Sequence, residues 1–431
     1  MAYIQLRKFG PVFECQMEVR PFTVLTGPQA SGKSTIAKAI FFFRTVAQDF
    51  IDQIQTRTRE DVYHTTFEND LKKRLRSKFL QMFGSSWSMP LDMGLHYEYS
   101  KGVAIDLCLK SNAIASVRNF IDFSFSDAIL EFIKQYEDYT ERGWDEDSWQ
   151  KLQQEIQALF SDGYDTIYVP AGRSLATLLT DQLMPLLSSE GRSLDFCMQS
   201  YVQRISSIRP QIGGGLSDLL DSVLHTTQLR VNQDALRRLT KLMQGVLHAR
   251  YVYDRGEEKL FFDEDRYVKI NFASSGQQES VWVFNLLYFH LVKNRKIFLI
   301  MEEPEAHLYP DSQKRMAEAI GLFAHEGNQV LVTTHSPYIL GQFNNMLYAG
   351  ELQERAGERY EQQLHDVLHP LSYLSFAETR AVHVHDGTVE DAVRNGLICN
   401  ELIDDASKEI NEETDALMTV EAHMDEDVGD A

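Results

Sequence analysis

The sequence predicts an α/β fold, a mixed and parallel sheet flanked by helices, from three apolar stretches and what stands at their ends. Phe22-Thr23-Val24-Leu25, Lys296-Ile297-Phe298-Leu299-Ile300-Met301 and Gln329-Val330-Leu331-Val332-Thr333-Thr334 are near-continuous apolar runs of strand length. Runs of this kind form strands buried on both faces of a parallel sheet. Each one delivers polar residues at its C-terminal end, the edge where open α/β sheets place their ligands.

The first run opens into Gly27-Pro28-Gln29-Ala30-Ser31-Gly32-Lys33-Ser34, which fits G-x-x-x-x-G-K-[ST], and a helical pattern follows over residues 34–44. The residue types suit a bound phosphate chain. Glycines let backbone N–H groups curl around phosphate oxygens, Lys33 brings a positive charge to the β/γ-phosphates, and Ser34 offers a hydroxyl to Mg²⁺. The candidate nucleotide contacts are therefore Gly27, Pro28, Gln29, Ala30, Ser31, Gly32, Lys33, Ser34 and the adjacent Thr35, with ATP and Mg²⁺ as the implied cofactors.

The second run ends in Glu302-Glu303-Pro304. A carboxylate there faces the same edge, so Glu302 is placed to hold Mg²⁺ through its water shell, as a Walker B acid does, and Glu303 to polarise an attacking water. The implied reaction is ATP hydrolysis. The third run delivers His335-Ser336-Pro337. His335 sits one strand beyond the two acids, where an ABC-type ATPase has its switch histidine, within reach of a γ-phosphate.

Upstream, Ala273-Ser274-Ser275-Gly276-Gln277-Gln278-Glu279 precedes an apolar helical stretch over residues 281–292. It resembles the ABC signature loop, in which a Ser and N–H groups at a helix N-terminus meet the γ-phosphate bound by a second subunit. It departs from the usual form by Ala273 in place of Leu and Ser275 in place of Gly. The resemblance makes Ser274, Ser275, Gly276 and Gln277 candidate contacts to a neighbour's nucleotide. It also implies a homo-oligomer, at least a head-to-tail dimer with composite ATP sites.

Glu302-Glu303-Pro304-Glu305-Ala306-His307-Leu308-Tyr309-Pro310 is similar to the E-E-P-E-x-H-L-x-P of the overcoming-lysogenization-defect (OLD) and RecF-like branch of ABC ATPases. Transporter ATPases usually carry an Asp-Glu pair followed by a D-loop Asp, so Glu302 and Tyr309 argue against a transporter. Thr334-His335-Ser336-Pro337, the opening Ile4-Gln5-Leu6-Arg7-Lys8-Phe9-Gly10 and Tyr168-Val169-Pro170-Ala171-Gly172-Arg173-Ser174 fit the same branch, the last without a chemical role that the sequence shows. The resemblance covers residues 1–45, 165–175 and about 265–415. Full-length OLD proteins continue into a TOPRIM nuclease. Fewer than 100 residues follow His335, with no Asp-x-Asp at an apolar strand end, so the expectation is an ATPase without its own nuclease.

Phosphate loop and signature lie some 240 residues apart, more than a compact nucleotide domain needs. An insertion is expected over residues 175–250, where Asp234-Ala235-Leu236-Arg237-Arg238-Leu239-Thr240-Lys241-Leu242-Met243 has helical spacing and Gln211-Ile212-Gly213-Gly214-Gly215 bends. Without sustained heptads, a compact helical arm is expected rather than a coiled coil. The division is then 1–174 and 251–400 for the two parts of the ATPase domain, 175–250 for the arm and 401–431 for an acidic C-terminal segment with a disordered tail.

Finer elements are also legible. Residues 2–25 read as short strands feeding the loop, residues 94–109 as a hairpin around Lys101-Gly102, and Val382 and Val384 as a strand ending in Asp386-Gly387. His383 and His385 share a face of that strand, but no third ligand accompanies them, so they read as structural.

The formal net charge is −21, of which the last 31 residues, with 12 acids and one Lys, carry −11. This balance weakens non-specific DNA binding, which rests on phosphate neutralisation. The basic run Lys72-Lys73-Arg74-Leu75-Arg76-Ser77-Lys78 reads as a solvated helix face. Cys15, Cys108, Cys197 and Cys399 lack C-x-x-C spacing, which fits a reducing compartment. No basic leader and no 18-residue apolar stretch is present, so a soluble, cytoplasmic protein without a membrane partner is expected. The resemblance implies the ATPase subunit of a two-component bacterial anti-phage system, as in PARIS or Septu, holding a separately encoded TOPRIM or HNH nuclease effector. The alternatives are a RecF/SMC-like ATPase that clamps DNA in repair, and a scaffold that uses ATP only structurally.

Overall fold

The computed structural model describes residues 1–57, 64–84, 89–110, 120–137, 145–160, 163–174, 195–212, 215–226, 231–254, 257–394, 396–399 and residue 413. Six strands form the central sheet in the order Thr388–Asp391, Thr379–His385, Phe22–Thr26, Gln329–Thr334, Ile297–Glu302, Asp165–Val169. The last five run parallel, and Thr388–Asp391 turns back antiparallel at one edge. Their register is flush. Thr26 pairs with Thr334, Thr333 with Glu302, and Met301 with Val169, so the C-terminal ends meet along one edge.

Alternation along these strands assigns each side chain to one of two cores, which is why the runs are apolar throughout. Leu25, Tyr168, Ile300, Leu331 and Val382 face a core shared with the helix Lys33–Arg44 and a second, antiparallel sheet. That sheet has the order Val12–Val19, Ala2–Phe9, Gly94–Ser100, Val103–Lys110, Phe120–Phe125. The hairpin at Lys101-Gly102 is present, with Gly102 at φ +84°. Val24, Val169, Leu299, Met301 and Val332 face the other core, built with the helices Ser275–Val292, Pro310–His325 and Pro337–Ala356. A three-stranded antiparallel sheet, Tyr267–Lys269, Glu257–Phe261 and Arg250–Asp254, lies apart from the central sheet.

Of the 175–250 segment, residues 175–194, 213–214 and 227–230 lie outside the described residues, as does 401–431 apart from Glu413. The helices Phe196–Ile208, Leu216–Thr226 and Gln233–Leu247 bury Tyr201, Val223, Leu239 and Met243 in the same core as Val24 and Met301. They pack on Ser275–Val292, and Gln233–Leu247 also on Pro310–His325.

The basic run at 72–78 is only in part the solvated face its composition suggests. On the helix Phe67–Phe83, Lys78 is buried and bonds to the Asp49 carboxylate and, at 2.6 Å, to the Thr45 hydroxyl. Arg74 pairs with Asp52 at 2.6 Å, Lys72 with Glu68 at 2.7 Å, and Arg76 Nε donates to the Ile121 carbonyl at 2.8 Å. The Lys78 charge is spent inside the fold, whereas Lys72, Arg74 and Arg76 are half-buried and Lys73 is exposed. Cys15, Cys197 and Cys399 are buried, and burial raises the Cys15 pKa to about 12. No described helix is long and apolar enough to cross a membrane.

His290 on Ser275–Val292 gives the fold a pH dependence. Its ring is 2% exposed, and neither nitrogen has a hydrogen-bond partner among the described residues. Burial first, then the charges of Arg204 and Arg295, lower its pKa to about 3. The unfolded chain binds this proton below about pH 6.5, whereas the folded chain does not until about pH 3. Stability from this site is therefore complete above pH 6.5 and falls as the pH drops, by about 2 kcal/mol at pH 5. Urea unfolding at pH 7.5 and 5.0 should show wild type losing about 2 kcal/mol more than His290→Leu over that interval. Equal losses in the two proteins would show that His290 takes up its proton without unfolding.

Candidate nucleotide site

Phe22–Thr26 is buried along its whole length and ends in the phosphate loop, from which the helix Lys33–Arg44 departs. Gly27 takes φ +140°, and a Cβ there would lie 2.2 Å from the Val384 carbonyl oxygen. Only glycine lets the loop leave the sheet that close to its neighbour strand. Ala30 and Gly32 also adopt positive φ, 61° and 113°, curling the segment back toward the helix start. Pro28, Gln29, Ala30 and Ser34 are exposed, Thr35 is half-buried, and Ser31 is buried with no hydrogen-bond partner for its hydroxyl among the described residues. The Lys33 ammonium donates to the carbonyls of Gly27 at 2.8 Å and Pro28 at 2.7 Å. Burial lowers its pKa, and the nearby charges of Glu303 and Glu305 work in the opposite direction. The loop lysine thus shares its field with the acids that follow the Ile297–Glu302 strand.

Those acids differ in exposure. Glu302 is 5% exposed, its Oε2 accepts from the Ala171 N–H at 3.2 Å, and its Oε1 is buried without a hydrogen-bond partner among the described residues. The Glu303 side chain is about one-third exposed, at 35%, and open to water. Its backbone is left-handed, φ 43°, in a residue that is not glycine. The conformation is fixed from both sides: Glu303 N–H donates to the Thr333 carbonyl at 2.9 Å, and its own carbonyl accepts from Arg173 at 3.1 Å and from Ala306 N–H at 3.0 Å. His335 stands beside them, its Nδ1 3.9 Å from Glu303 and 3.4 Å from Glu305. Glu305 is buried and accepts from the Thr334 hydroxyl at 2.8 Å and the His335 N–H at 2.9 Å. It anchors the histidine rather than facing solvent.

Arg173, whose segment had no chemical role in the sequence, proves to be the clasp of this turn. It is 1% exposed and donates to the carbonyls of Glu302 at 2.9 Å and Glu303 at 3.1 Å. Its guanidinium lies 3.7 Å from Glu279, also 1% exposed, and the Glu279 carboxylate lies 3.0 Å from His307 Nδ1. Glu279 belongs to the first turns of Ser275–Val292, so one buried chain of charges joins that helix to the Glu302-Glu303 peptide. A lone acid in an otherwise apolar helical run, and an Arg just past a buried strand, were the sequence signs of this pair.

Ser274 caps Ser275–Val292 in a reciprocal capping box with Gln277. Gly276 is buried against the turn below: a Cβ would meet the His307 carbonyl oxygen at 2.5 Å. Ser274 and Ser275 are exposed, and Gln277 also donates to the Leu247 carbonyl at 2.7 Å. Among the described residues, Ser274 and Gln277 share no hydrogen bond with the phosphate loop, Glu303 or His335. His383 and His385 lie on the strand beside the loop with ring centroids 5.4 Å apart, and the His383 pKa is lowered by burial, then by His385 and Lys33. No cluster of three metal-ligating residues occurs among the described residues.

The family described as AAA ATPase domain (AAA_15) matches residues 1–340. No curated protein matches the chain. Solved structures to which it is similar are SMC head domains. One is bound to the C-terminal winged-helix domain of ScpA, with 13% identity, TM-score 0.42 and coverage of 90% of this chain and 95% of that one. Another, from Pyrococcus furiosus, has an extended coiled coil and the C-terminal domain of ScpA, with 12% identity, TM-score 0.39 and coverage of 96% and 100%. The head from Thermotoga maritima shows 13% identity, TM-score 0.37 and coverage of 91% and 98%. With its glycine-rich loop, paired acids and parallel sheet, the chain belongs to the AAA ATPase domain family and is a nucleotide-binding ATPase.

Proposed function

We propose that the chain hydrolyses ATP with Glu303 as general base, and that the cycle works on a separately encoded effector in bacterial anti-phage defence. The convergence of Lys33, Glu303 and His335 at one edge of the sheet carries the catalytic part of this reading. Glu303 has the water access a base needs, and the clasp from Arg173 fixes where its side chain leaves the backbone. His335, held by Glu305, is set to orient the γ-phosphate or the water. Lys33 exchanges two carbonyl partners for phosphate oxygens.

The Ser34 hydroxyl and the partnerless buried Glu302 Oε1 are hard oxygen donors that fit Mg²⁺, which when bound would offset phosphate charge. The exposed Ser274 and Ser275 at a helix start suit the γ-phosphate of a second copy, so a head-to-tail dimer is part of the proposal. The effector role rests on the likeness of residues 302–310 to the OLD branch. The net charge of −21 favours a protein effector over a DNA duplex as the object of the cycle. Co-expression with the neighbouring reading frames of its native locus should yield a stable complex with a nuclease. Salt-sensitive, ATP-dependent clamping of DNA by the chain alone would contradict this and favour the repair reading.

Two variants separate binding from chemistry. Glu303→Gln should keep ATP affinity within about threefold while turnover falls by about 100-fold or more. Lys33→Ala should lose binding itself. Wild-type turnover in Glu303→Gln would assign the base elsewhere, with His335 the next residue to test.

Arg173→Lys tests the clasp. A lysine keeps a cation against Glu279 but lacks the planar fork that reaches both carbonyls. Turnover should drop by about tenfold or more with KM changed far less, because the loss falls on the placement of Glu303. An unchanged kcat would reduce Arg173 to a structural residue.

A further inference from the structure

At the opposite end of the central sheet, where the strands begin rather than end, a second cavity of about 430 Å³ opens. Its lining includes Arg44, at the far end of the helix that Lys33 starts, together with Arg204, Arg295 and Lys296. Asp165 is the one carboxylate among the described lining residues, and it is already paired with Arg204 at 2.9 Å. A cavity with this excess of cations is unexpected in a chain of net charge −21. Its field is felt nearby: the charges of Arg204 and Arg295 add to burial in keeping His290 unprotonated.

Two independent features inside the cavity ask for an acceptor. Thr166 is 8% exposed, and its hydroxyl has no hydrogen-bond partner among the described residues. The helix Val46–Thr56 starts at the wall through Thr45 and Ala47, and no side chain caps it, because the Thr45 hydroxyl points back to the carbonyls of Phe41 at 2.8 Å and Phe42 at 3.1 Å. The N–H groups of Gln48 and Asp49 bond to the Thr45 carbonyl at 3.1 and 3.2 Å, which leaves that of Ala47 at the wall for a ligand, and a helix N-terminus favours an anion. The Arg44 guanidinium carbon lies over the Phe298 ring, 4.6 Å from its centroid, so one of the cations is pre-ordered.

We propose that this cavity binds a small phosphate-bearing anion, of the size range from pyrophosphate to a nucleoside monophosphate, as a second ligand separate from the nucleotide on the phosphate loop. Arg295 and Arg44 supply charge, the Thr166 hydroxyl donates to one phosphate oxygen, and the Ala47 N–H at the start of Val46–Thr56 donates to another. The volume admits a mononucleotide-sized ligand but not a helical nucleic acid.

The test is calorimetric titration of magnesium-free pyrophosphate into the full-length protein, both as wild type and as Lys33→Ala, which removes the phosphate-loop site. Lys33→Ala should retain one pyrophosphate site. Arg295→Glu placed on Lys33→Ala should weaken it by about tenfold or more, and Thr166→Val, nearly isosteric, by about threefold. Arg295 is exposed and its side chain is not part of the core, so its replacement leaves the fold intact, which circular dichroism verifies. Binding that disappears in Lys33→Ala, affinity untouched by Arg295→Glu, or no heat up to roughly 5 mM pyrophosphate would each overturn the proposal. None of these outcomes depends on whether Glu303 is the catalytic base.

Discussion

The left-handed turn at Glu303 is the constraint on which the nucleotide site depends. Leaving the sheet at φ 43° costs a non-glycine residue about 1–2 kcal/mol, and such conformations persist where their surroundings over-determine them. Here the neighbouring strand holds the N–H through Thr333 and Arg173 holds the carbonyl. Arg173 is itself buried and would be costly as an isolated charge, so Glu279 beside it is part of the same device. The price of a buried ion pair is accepted where it fixes the carboxylate's direction.

That device reaches further than the acids. Glu279 stands on the helix capped by Ser274, and His307 lies in the turn that Gly276 approaches most closely. Any displacement of the Glu302-Glu303 turn is therefore felt at the start of Ser275–Val292 through direct contacts. Glu305 makes the corresponding link to His335. The helix Lys33–Arg44 carries the glycine-rich loop at one end of the sheet and Arg44 in the basic cavity at the other, so the loop and the cavity share one helix.

Much of this was legible in the sequence because it is local. The three apolar runs, the phosphate loop and the hairpin at Lys101-Gly102 each declare themselves within a few residues, and sheet burial on both faces produces unbroken apolar runs. What was not legible is pairing at a distance. Nothing near Arg173 announces Glu279, and nothing in the run Lys72-Lys73-Arg74 announces Asp49 and Asp52, which draw part of an apparently solvated face into an internal network. Helical spacing over 233–247 was plain, but its burial against Pro310–His325 depends on partners elsewhere in the chain. The place of His383 and His385 beside Lys33 follows only from strand order.

In the proposed mechanism Lys33, Glu303 and the Arg173 clasp form one ATP site. An experimental structure with a non-hydrolysable ATP analogue and Mg²⁺ tests it most directly. The phosphate chain is expected in residues 27–34, with Lys33 Nζ moved from the Gly27 and Pro28 carbonyls to phosphate oxygens and the Glu303 carboxylate facing the γ-phosphate with both Arg173 bonds intact. A γ-phosphate bound with Glu303 turned away and the Arg173 bonds broken would contradict it.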